Sequence, residues 1–399
     1  MGASRSLRTN QPYNSIAFRI LVAIVWTHNT VMPLMRVVIE RLPYIGFLAE
    51  LLIPMSIILS AMACLPWFLR HIRGGDLAVY IGAVLVVLFS MVLHPITVEY
   101  LQEEWWRILI AAVPMYFIGA SFSLKDSEND LFWCSLFSVL GMFVFRIYLL
   151  NSGRELENDD MEAAYRMLPS IMYLIYYASV KKQVVYVAIA AALSTVILIF
   201  GTRGPIVCML VYVALLTIYL AFKSHNIKKI LILLIIFAIV LSVFIFDTLF
   251  IEVSSAFSKV FERIGFSTRI FNFIIEGDII ASKGRESLAK QAVDAIIENP
   301  MWGYGITADR AMFGIYPHNM FLEILCQYGI IFGSLLIIVM IVLTLIALLK
   351  SRKDSKQFSF ALMLVSIVFV KLMISSTYTI EPLLFFMMGY FVLILRKKR

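Results

Sequence analysis

The sequence predicts an all-α integral membrane protein, a polytopic bundle of about twelve transmembrane helices with one large outer loop. Two observations carry this prediction. The 399 residues are 61% hydrophobic and only 15% charged, whereas a soluble domain is nearer half apolar and a quarter charged. Long apolar runs such as residues 230–246 (ILILLIIFAIVLSVFIF) exclude a transmembrane β-barrel, whose strands alternate between apolar and polar side chains.

A helix needs about 20 apolar residues to cross a bilayer. Segments of that kind lie near residues 16–38, 44–68, 77–94, 106–123, 131–150, 163–180, 184–201, 205–222, 230–250, 328–349, 358–375 and 380–395. The first is the weakest, because two arginines, a histidine and a proline interrupt it. Arg5 and Arg8 precede it without a small-residue cleavage site, which indicates a retained signal-anchor helix.

The connections between these segments form two alternating sets. One set is mostly rich in lysine and arginine and occupies residues 70–76, 125–130, 181–183, 223–229, 350–357 and 396–399. The other set is mostly acidic or neutral and occupies residues 94–106, 151–166, 251–317 and 376–382. Because lysine and arginine are retained on the cytoplasmic side, the first set and both termini are predicted to be cytoplasmic. The acidic segment KDSEND at 125–130 argues weakly against this assignment.

The layout divides the chain into three regions. These are residues 1–250 with about nine helices, residues 251–317 as the large outer loop, and residues 318–399 with about three helices. Within the loop, residues 284–300 (GRESLAKQAVDAIIENP) predict an amphipathic helix, since apolar residues recur at helical spacing. Asn299 and Pro300 are expected to end that helix.

Charge and cysteine content exclude several other classes. The net charge is +8, which on a membrane protein indicates cytoplasmic loops beside membrane lipids rather than binding of nucleic acid. The four cysteines have neither metal-ligand spacing nor a disulfide framework. No Asp-x-Asp motif is present, which disfavours metal-dependent sugar transfer.

The segment GTRGP at 201–205 is an outward-facing hairpin tip between two apolar helices. Gly204 and Pro205 are expected to make the turn, with Arg203 at or just above membrane depth. A snorkelling arginine is the plain interpretation. The outward position of Arg203 runs against the positive-inside trend, which favours a functional role.

Arg285 stands at the start of the amphipathic helix in the outer loop. Helix N-termini prefer acidic side chains, so an arginine there gains nothing from the helix dipole. Helix N-termini do bind anions, however, and an arginine beside one strengthens such a site. The alternative is a solvated surface arginine.

The segment YPHNMFLEILCQYGIIFG at 316–333 begins as a polar stretch and ends as a membrane helix. His318 is predicted at the start of that helix, flanked by Asn319 and Glu323. A lone histidine is usually structural. A histidine with a pKa near neutrality can also accept a proton from a hydroxyl group.

Other charged residues in the outer segments have plainer explanations. Arg263, Arg269 and Arg310 add basic side chains to the large loop, and surface solvation is the expected state of each. The acidic run RELENDD at 154–160 offers carboxylates that hard cations prefer. A solvated loop is the commoner explanation for such a run.

Together these motifs resemble the signature of the O-antigen ligase and polymerase superfamily (the Wzy and WaaL proteins). The resemblance rests on GTRGP and on the segments GR, NPMWGYG, PHNMFLE and GIIFG between residues 284 and 333. The layout of the predicted helices and of the large loop near the C-terminal third is also similar to that of the family, so the resemblance extends over the whole chain. The histidine block with NPMWGYG is fairly specific, whereas GTRGP alone would be weak. The resemblance implies a GT-C-like fold.

The resemblance also implies an inverting, metal-independent glycosyl transfer without cofactors, at the periplasmic face of a bacterial inner membrane. The donor would be an oligosaccharide linked to undecaprenyl diphosphate, and a chain-length regulator protein is an implied partner. Carried over by motif, Arg203 and Arg285 hold the diphosphate and His318 activates the acceptor hydroxyl. The further residues expected to bind substrate are Asn319, Glu323 and Arg269.

The chemistry of these residue types agrees with that reaction. Arginines are natural ligands for a diphosphate, because their planar forks bind phosphate oxygens in a bidentate manner. Preorganised positive charge stabilises the leaving group as it departs. A histidine on the opposite face of the sugar can accept the proton of the attacking hydroxyl.

Three functions remain open at this point. A polymerase passes the glycan to another lipid-linked repeat unit, whereas a ligase passes it to lipid A-core; polymerase is favoured because such enzymes are more numerous. A secondary transporter of twelve helices is the third option. Transporters usually show two similar halves and charges buried in mid-helix. Here Arg146 and Lys371 are the few candidates, and each is near a predicted helix end.

Overall fold

A computed structural model of the chain describes residues 16–40, 55, 73–151, 157–200, 203–224, 255, 258–260, 262–263 and 283–396. The helices there are α1 (Ile16–Glu40), α2 (Gly74–Leu93), α3 (Val98–Trp106), α4 (Pro114–Ala120), α5 (Leu124–Asn151), α6 (Glu157–Lys181), α7 (Val184–Ile199), α8 (Arg203–Ser224), α9 (Lys283–Glu298), α10 (Ala308–Phe313), α11 (Met320–Ser351), α12 (Ser355–Ile374) and α13 (Pro382–Arg396). A 3₁₀ turn (Pro95–Thr97) precedes α3 and a π-helix (Arg107–Ala112) follows it. No strand occurs among these residues, so the all-helical class is confirmed.

Five of the described helices are long and apolar enough to cross a membrane, namely α2, α5, α8, α11 and α12. Helices α7 and α13 are apolar but shorter. These lengths and compositions agree with a multi-pass membrane protein. Two predicted spans, 44–68 and 230–250, lie outside the described residues apart from residue 55, as does most of the segment 251–282. The predicted loop helix at 284–300 is confirmed as α9.

Two predicted connections are helical instead. The segment KDSEND lies in the first turns of α5, and residues 157–166 lie in the first turns of α6. Acidic side chains are stabilised at a helix N-terminus by the positive end of the dipole, so a charged segment there extends the helix rather than ending it. The predicted span 106–123 is divided between the π-helix and α4.

One end of the bundle gathers the predicted cytoplasmic connections, and we call it the basic end. There Arg396 of α13 pairs with Asp76 of α2, with 2.7 Å between guanidinium nitrogen and carboxylate oxygen. Lys356 of α12 pairs with Glu128 of α5 at 2.9 Å. Lys181, at the end of α6, reaches the same Glu128 at 3.2 Å.

The other end gathers the predicted outer connections, and we call it the loop end. The Ser90 hydroxyl, near the end of α2, accepts a hydrogen bond from the Ile306 amide at 2.7 Å. Just after α12, the Ser375 carbonyl accepts from the Tyr316 hydroxyl at 2.8 Å. Helices α2 and α12 each have 20 residues and contact both ends, and 20 residues of helix span about 30 Å. The described parts of the two sets of connections therefore lie on opposite sides of the bundle.

The N-terminal and C-terminal helices share one apolar core. Its buried side chains come from α1, α4 to α8 and α11 to α13. The closest helix approach joins α4 and α13, where a Cβ added to Gly119 would lie 2.0 Å from the Phe386 carbonyl oxygen. A Cβ on Gly389 would lie 2.0 Å from the Tyr116 carbonyl oxygen. Small residues let helix backbones approach closely in membranes, so these two glycines allow the close crossing of α4 and α13.

Candidate active site

Helix α11 is broken at Gly329 into a short polar segment and a long apolar segment. Gly329 has φ 71° and ψ 177°, a backbone conformation that favours glycine. The break frees two carbonyl groups from the helical ladder. The Cys326 carbonyl accepts from the Tyr304 amide at 3.0 Å, and the Gln327 carbonyl accepts from the Gly305 amide at 2.9 Å. The predicted span at 328–349 corresponds to the long apolar segment.

The NPMWGYG motif packs against this break. The Ile330 amide donates to the Pro300 carbonyl at 2.6 Å, across the break. The Asn299 side-chain amide donates to the Gly303 carbonyl at 2.6 Å and holds the turn that follows α9. The motif is thus the support on which the short polar segment of α11 rests, and that segment follows His318 directly.

His318 lies at the entry of the helix, as predicted, directly before the cap residue Asn319. Its φ is 53°, in the left-handed region, where histidine is more common than most side chains. The helix begins one residue after Asn319, whose side-chain oxygen accepts from the Phe321 amide at 3.0 Å and the Leu322 amide at 3.2 Å. Asn319 therefore caps the helix, and His318 projects from a tight turn before it.

The surroundings of His318 keep its imidazole neutral. The side chain is half-buried, and the Tyr316 ring meets it edge to face with 4.5 Å between ring centroids. Burial, and then the charge of Arg285, lower the pKa of His318 below its ordinary value of 6.5. Its Nδ1 atom is buried and has no hydrogen-bond partner among the described residues. A neutral imidazole with an unpaired ring nitrogen can accept a proton.

Arg285 lies in the first turn of α9 with its side chain exposed. After burial, its positive charge is the second cause that lowers the pKa of His318, and the same charge acts on Tyr316 and on Tyr165 of α6. The guanidinium adds to the positive end of the α9 dipole. This part of the site can hold an anion beside His318.

The GTRGP motif packs against Tyr165, one of the tyrosines on which the charge of Arg285 acts. Arg203 is the first residue of α8, and its side chain lies outside the described residues. A Cβ on Gly204 would lie 1.7 Å from the Tyr165 hydroxyl oxygen, so the start of α8 packs directly on Tyr165. Gly204 and Pro205 lie within the first turn of α8, which corrects their predicted place in the hairpin turn. Proline is tolerated there because the first-turn amides have no helical partner.

Ser375 joins these elements. The Tyr165 hydroxyl hydrogen-bonds with the Ser375 side chain, and the Tyr316 hydroxyl donates to the Ser375 carbonyl at 2.8 Å. Lys371, one turn earlier in α12, lies over the Tyr165 ring at 5.7 Å and pairs with Glu381 at 2.5 Å. The start of α8, through Tyr165, and the loop of His318, through Tyr316, therefore meet at this short segment.

A buried polar network lies beneath Tyr316 and is centred on Arg310, in α10. The Arg310 side chain is only 8% exposed, which corrects the predicted surface solvation. Its guanidinium lies 3.4 Å from Glu104 of α3, 3.5 Å from Asp309 and 3.9 Å from Glu323 of α11. It also lies over the Tyr316 ring, 5.6 Å from the centroid. Paired carboxylates explain how this arginine remains buried.

Neutral side chains complete the network. The Gln327 amide donates to Asp309 at 2.8 Å and to Glu323 at 3.4 Å, and Thr377 donates to Glu323. Burial raises the pKa values of Asp309 and Glu104 above their ordinary range. The described residues contain no group of three His, Cys, Asp or Glu side chains that could hold a metal ion. Arg310 is the cation at the centre of this cluster.

Comparison with protein families places these motifs in one domain. Residues 188–337 match the family model described as O-antigen ligase (Wzy_C). We call the matched residues the O-antigen ligase domain, after the family model that they resemble. The match confirms the resemblance to the O-antigen ligase and polymerase superfamily. Comparisons with curated proteins and with solved structures found no match.

The O-antigen ligase domain contains Arg203, Arg285 and His318, and the charge of Arg285 acts on His318. Of the other expected residues, Asn319 caps α11, Glu323 is buried in the Arg310 network, and Arg269 lies outside the described residues. Arg263 is exposed, as expected for a solvated side chain.

Several residues of the site cannot be recognised as site residues from the sequence alone. Tyr165, Glu104 and Ser375 lie outside the O-antigen ligase domain, in ordinary helix-end and loop positions. Only folding brings them beside His318 and Arg310. Tyr316 was within reach of sequence reasoning, because it lies two residues before the histidine in the same motif.

Proposed function

We propose that this chain is a polysaccharide polymerase for O-antigen or capsular glycan, which joins oligosaccharide repeat units carried on undecaprenyl diphosphate. The O-antigen ligase domain supports the class of reaction. The observation that carries the proposal is a half-buried His318, whose Nδ1 has no partner among the described residues, within the electrostatic reach of the Arg285 guanidinium. An anion site and a proton acceptor are the two parts that glycosyl transfer from a diphosphate requires.

In this proposal the acceptor hydroxyl attacks the anomeric carbon from the face opposite the diphosphate. His318 takes the hydroxyl proton as the new carbon–oxygen bond forms. The bond from the anomeric carbon to the diphosphate oxygen breaks, the diphosphate leaves with the electron pair, and the anomeric configuration inverts. Arg203 and Arg285 hold the departing diphosphate, so the reaction needs no metal ion.

The loop end of the bundle faces the periplasm in this proposal. The basic end gathers the lysine-rich and arginine-rich connections, which the positive-inside rule assigns to the cytoplasm of a bacterial inner membrane. The donor's lipid would then lie beside the bundle, and its diphosphate would meet Arg285 where the chain leaves the bilayer. The large outer segment would hold the two glycans in line.

A ligase is the second candidate, and it is favoured by the match of residues 188–337 to a family described as O-antigen ligase. The electrophoretic ladder of surface polysaccharide from cells lacking this gene separates the two. Single repeat units on lipid A-core would mean that a polymerase is lost while a ligase remains. Bare core with long polymer retained on undecaprenyl diphosphate would identify the ligase. An unchanged ladder would contradict both functions for that glycan.

A further inference from the structure

We infer that Arg310 is a positioning residue for His318, and that Glu104, from outside the O-antigen ligase domain, holds Arg310 in place. The inference rests on the proposed function, in which His318 accepts the proton of the acceptor hydroxyl. In this inference His318 is supported by a buried arginine, three carboxylates and one aromatic ring. Two of these carboxylates lie in the domain and one comes from α3.

The link from Arg310 to His318 passes through Tyr316. The guanidinium lies 5.6 Å from the centroid of the Tyr316 ring, and the same ring lies 4.5 Å from the imidazole, centroid to centroid. A cation near an aromatic ring at this distance is attracted to its π-electrons. The Tyr316 hydroxyl is bound to the Ser375 carbonyl, so the ring is held at both its tip and its side. The ring in turn limits the directions that the imidazole can take.

The orientation of the His318 imidazole depends on side-chain contacts rather than on the backbone around it. His318 occupies a single left-handed position between Pro317 and the cap residue Asn319. No hydrogen bond from the described residues reaches Nδ1 of the imidazole, which would otherwise fix its orientation. Contact with the Tyr316 ring therefore supplies an orienting interaction where Nδ1 supplies none.

Glu104 matters because Arg310 needs partners from several directions. Asp309 is its sequence neighbour and Glu323 lies on α11, on the far side of His318 in sequence. Glu104 is the partner from α3, and it approaches the guanidinium at 3.4 Å. An arginine can contact three carboxylates at once with its planar set of donors, whereas a lysine presents a single ammonium group. Neutralising Glu104, or replacing Arg310 with lysine, should therefore loosen the cation beneath Tyr316.

The test uses purified full-length protein in lipid nanodiscs. The probe is undecaprenyl-diphosphate-linked oligosaccharide extracted from cells lacking the gene, and new glycosidic bonds are counted by mass spectrometry. The variants are Glu104→Gln, Arg310→Lys, Tyr316→Phe and Tyr316→Leu. Glu103→Gln is the matched control, because Glu103 is the exposed neighbour of Glu104.

We expect Glu104→Gln and Arg310→Lys to lower kcat by about 10- to 100-fold, since small misplacements of a catalytic group have effects of that size. KM for the lipid-linked donor should stay near the wild-type value. The acid limb of the pH profile should move to higher pH, because a loosened Tyr316 exposes His318 to water. Tyr316→Leu should behave in the same way, whereas Tyr316→Phe keeps the ring and most of the activity.

A merely structural role would reduce the yield of folded protein and leave kcat per folded molecule and the pH profile unchanged. That result in Glu104→Gln and Tyr316→Leu would overturn the inference. His318→Ala, measured in parallel, separates this outcome from failure of the proposed function. An inactive His318→Ala beside a normal Glu104→Gln contradicts only the positioning role, while a fully active His318→Ala contradicts the proposed function itself.

Discussion

The ring of Tyr316 lies edge to face against the imidazole of His318, with 4.5 Å between their centroids. The same tyrosine donates its hydroxyl hydrogen to the Ser375 carbonyl. The histidine of the O-antigen ligase domain is thereby connected to the end of α12, which lies outside that domain. The site is assembled from the whole loop end of the bundle rather than from one stretch of sequence.

The first prediction concerns the pH dependence of glycosyl transfer. Because burial and Arg285 lower the pKa of His318, the neutral base persists below pH 6.5. The rate of the wild-type enzyme should therefore be flat near neutrality and fall only as the pH drops through this lowered pKa. Arg285→Gln removes one cause of the lowering, so its acid limb should move to higher pH.

The measurement is the pH profile of kcat for wild type, Arg285→Gln and Arg285→Lys. The lysine variant keeps the positive charge and should keep the acid limb close to that of the wild type, although diphosphate binding weakens. Identical acid limbs in wild type and Arg285→Gln would show that the charge of Arg285 does not act on the titrating group.

The second prediction concerns the break in α11. Gly329→Ala should lower the free energy of unfolding by about 2 kcal/mol or more, because a Cβ is strained at positive φ. The added Cβ would also lie 2.6 Å from the Met301 carbonyl oxygen. Thermal unfolding in detergent measures the effect. Gly82→Ala, in the interior of α2 with no heavy atom within 4 Å of the new Cβ, is the control and should be neutral or stabilising.

The third prediction concerns orientation in the membrane. Reporters fused within residues 350–357 and within the segment 299–305 should report opposite sides, cytoplasmic for the first and periplasmic for the second. The helices between the two ends of the bundle span about 30 Å, enough to separate these segments across the hydrocarbon core. Reporters on the same side would contradict the assignment of the basic end.

Much of the fold could be predicted because apolar length and loop charge are local signals. The helix in the outer loop and most apolar segments match the predicted ranges within a few residues. The break at Gly329 could not be predicted, since a single glycine is tolerated inside a helix and the support of this break comes from Tyr304 and Gly305. Acidic first turns were taken for loops, because charge alone does not reveal a helix N-terminus.

Only those residues of the candidate site that lie in sequence motifs could be predicted. Arg285 and His318 were found because each is out of place locally, an arginine at a helix start and a histidine at a membrane boundary. The burial of Arg310 could not be predicted, since Glu104 lies more than two hundred residues away in sequence. Sequence motifs identify Arg285 and His318 one at a time, whereas Arg310 and Glu104 are brought together by tertiary packing.

The most direct test of the account is glycosyl transfer by purified protein and its His318→Ala variant, with extracted undecaprenyl-diphosphate-linked oligosaccharide as the probe. The account predicts that wild-type protein forms new glycosidic bonds without added metal ions. The variant should bind the donor normally and lose at least about 100-fold in rate, as expected when a general base is removed. Wild-type rates in the correctly folded variant would contradict the central claim that His318 activates the acceptor hydroxyl.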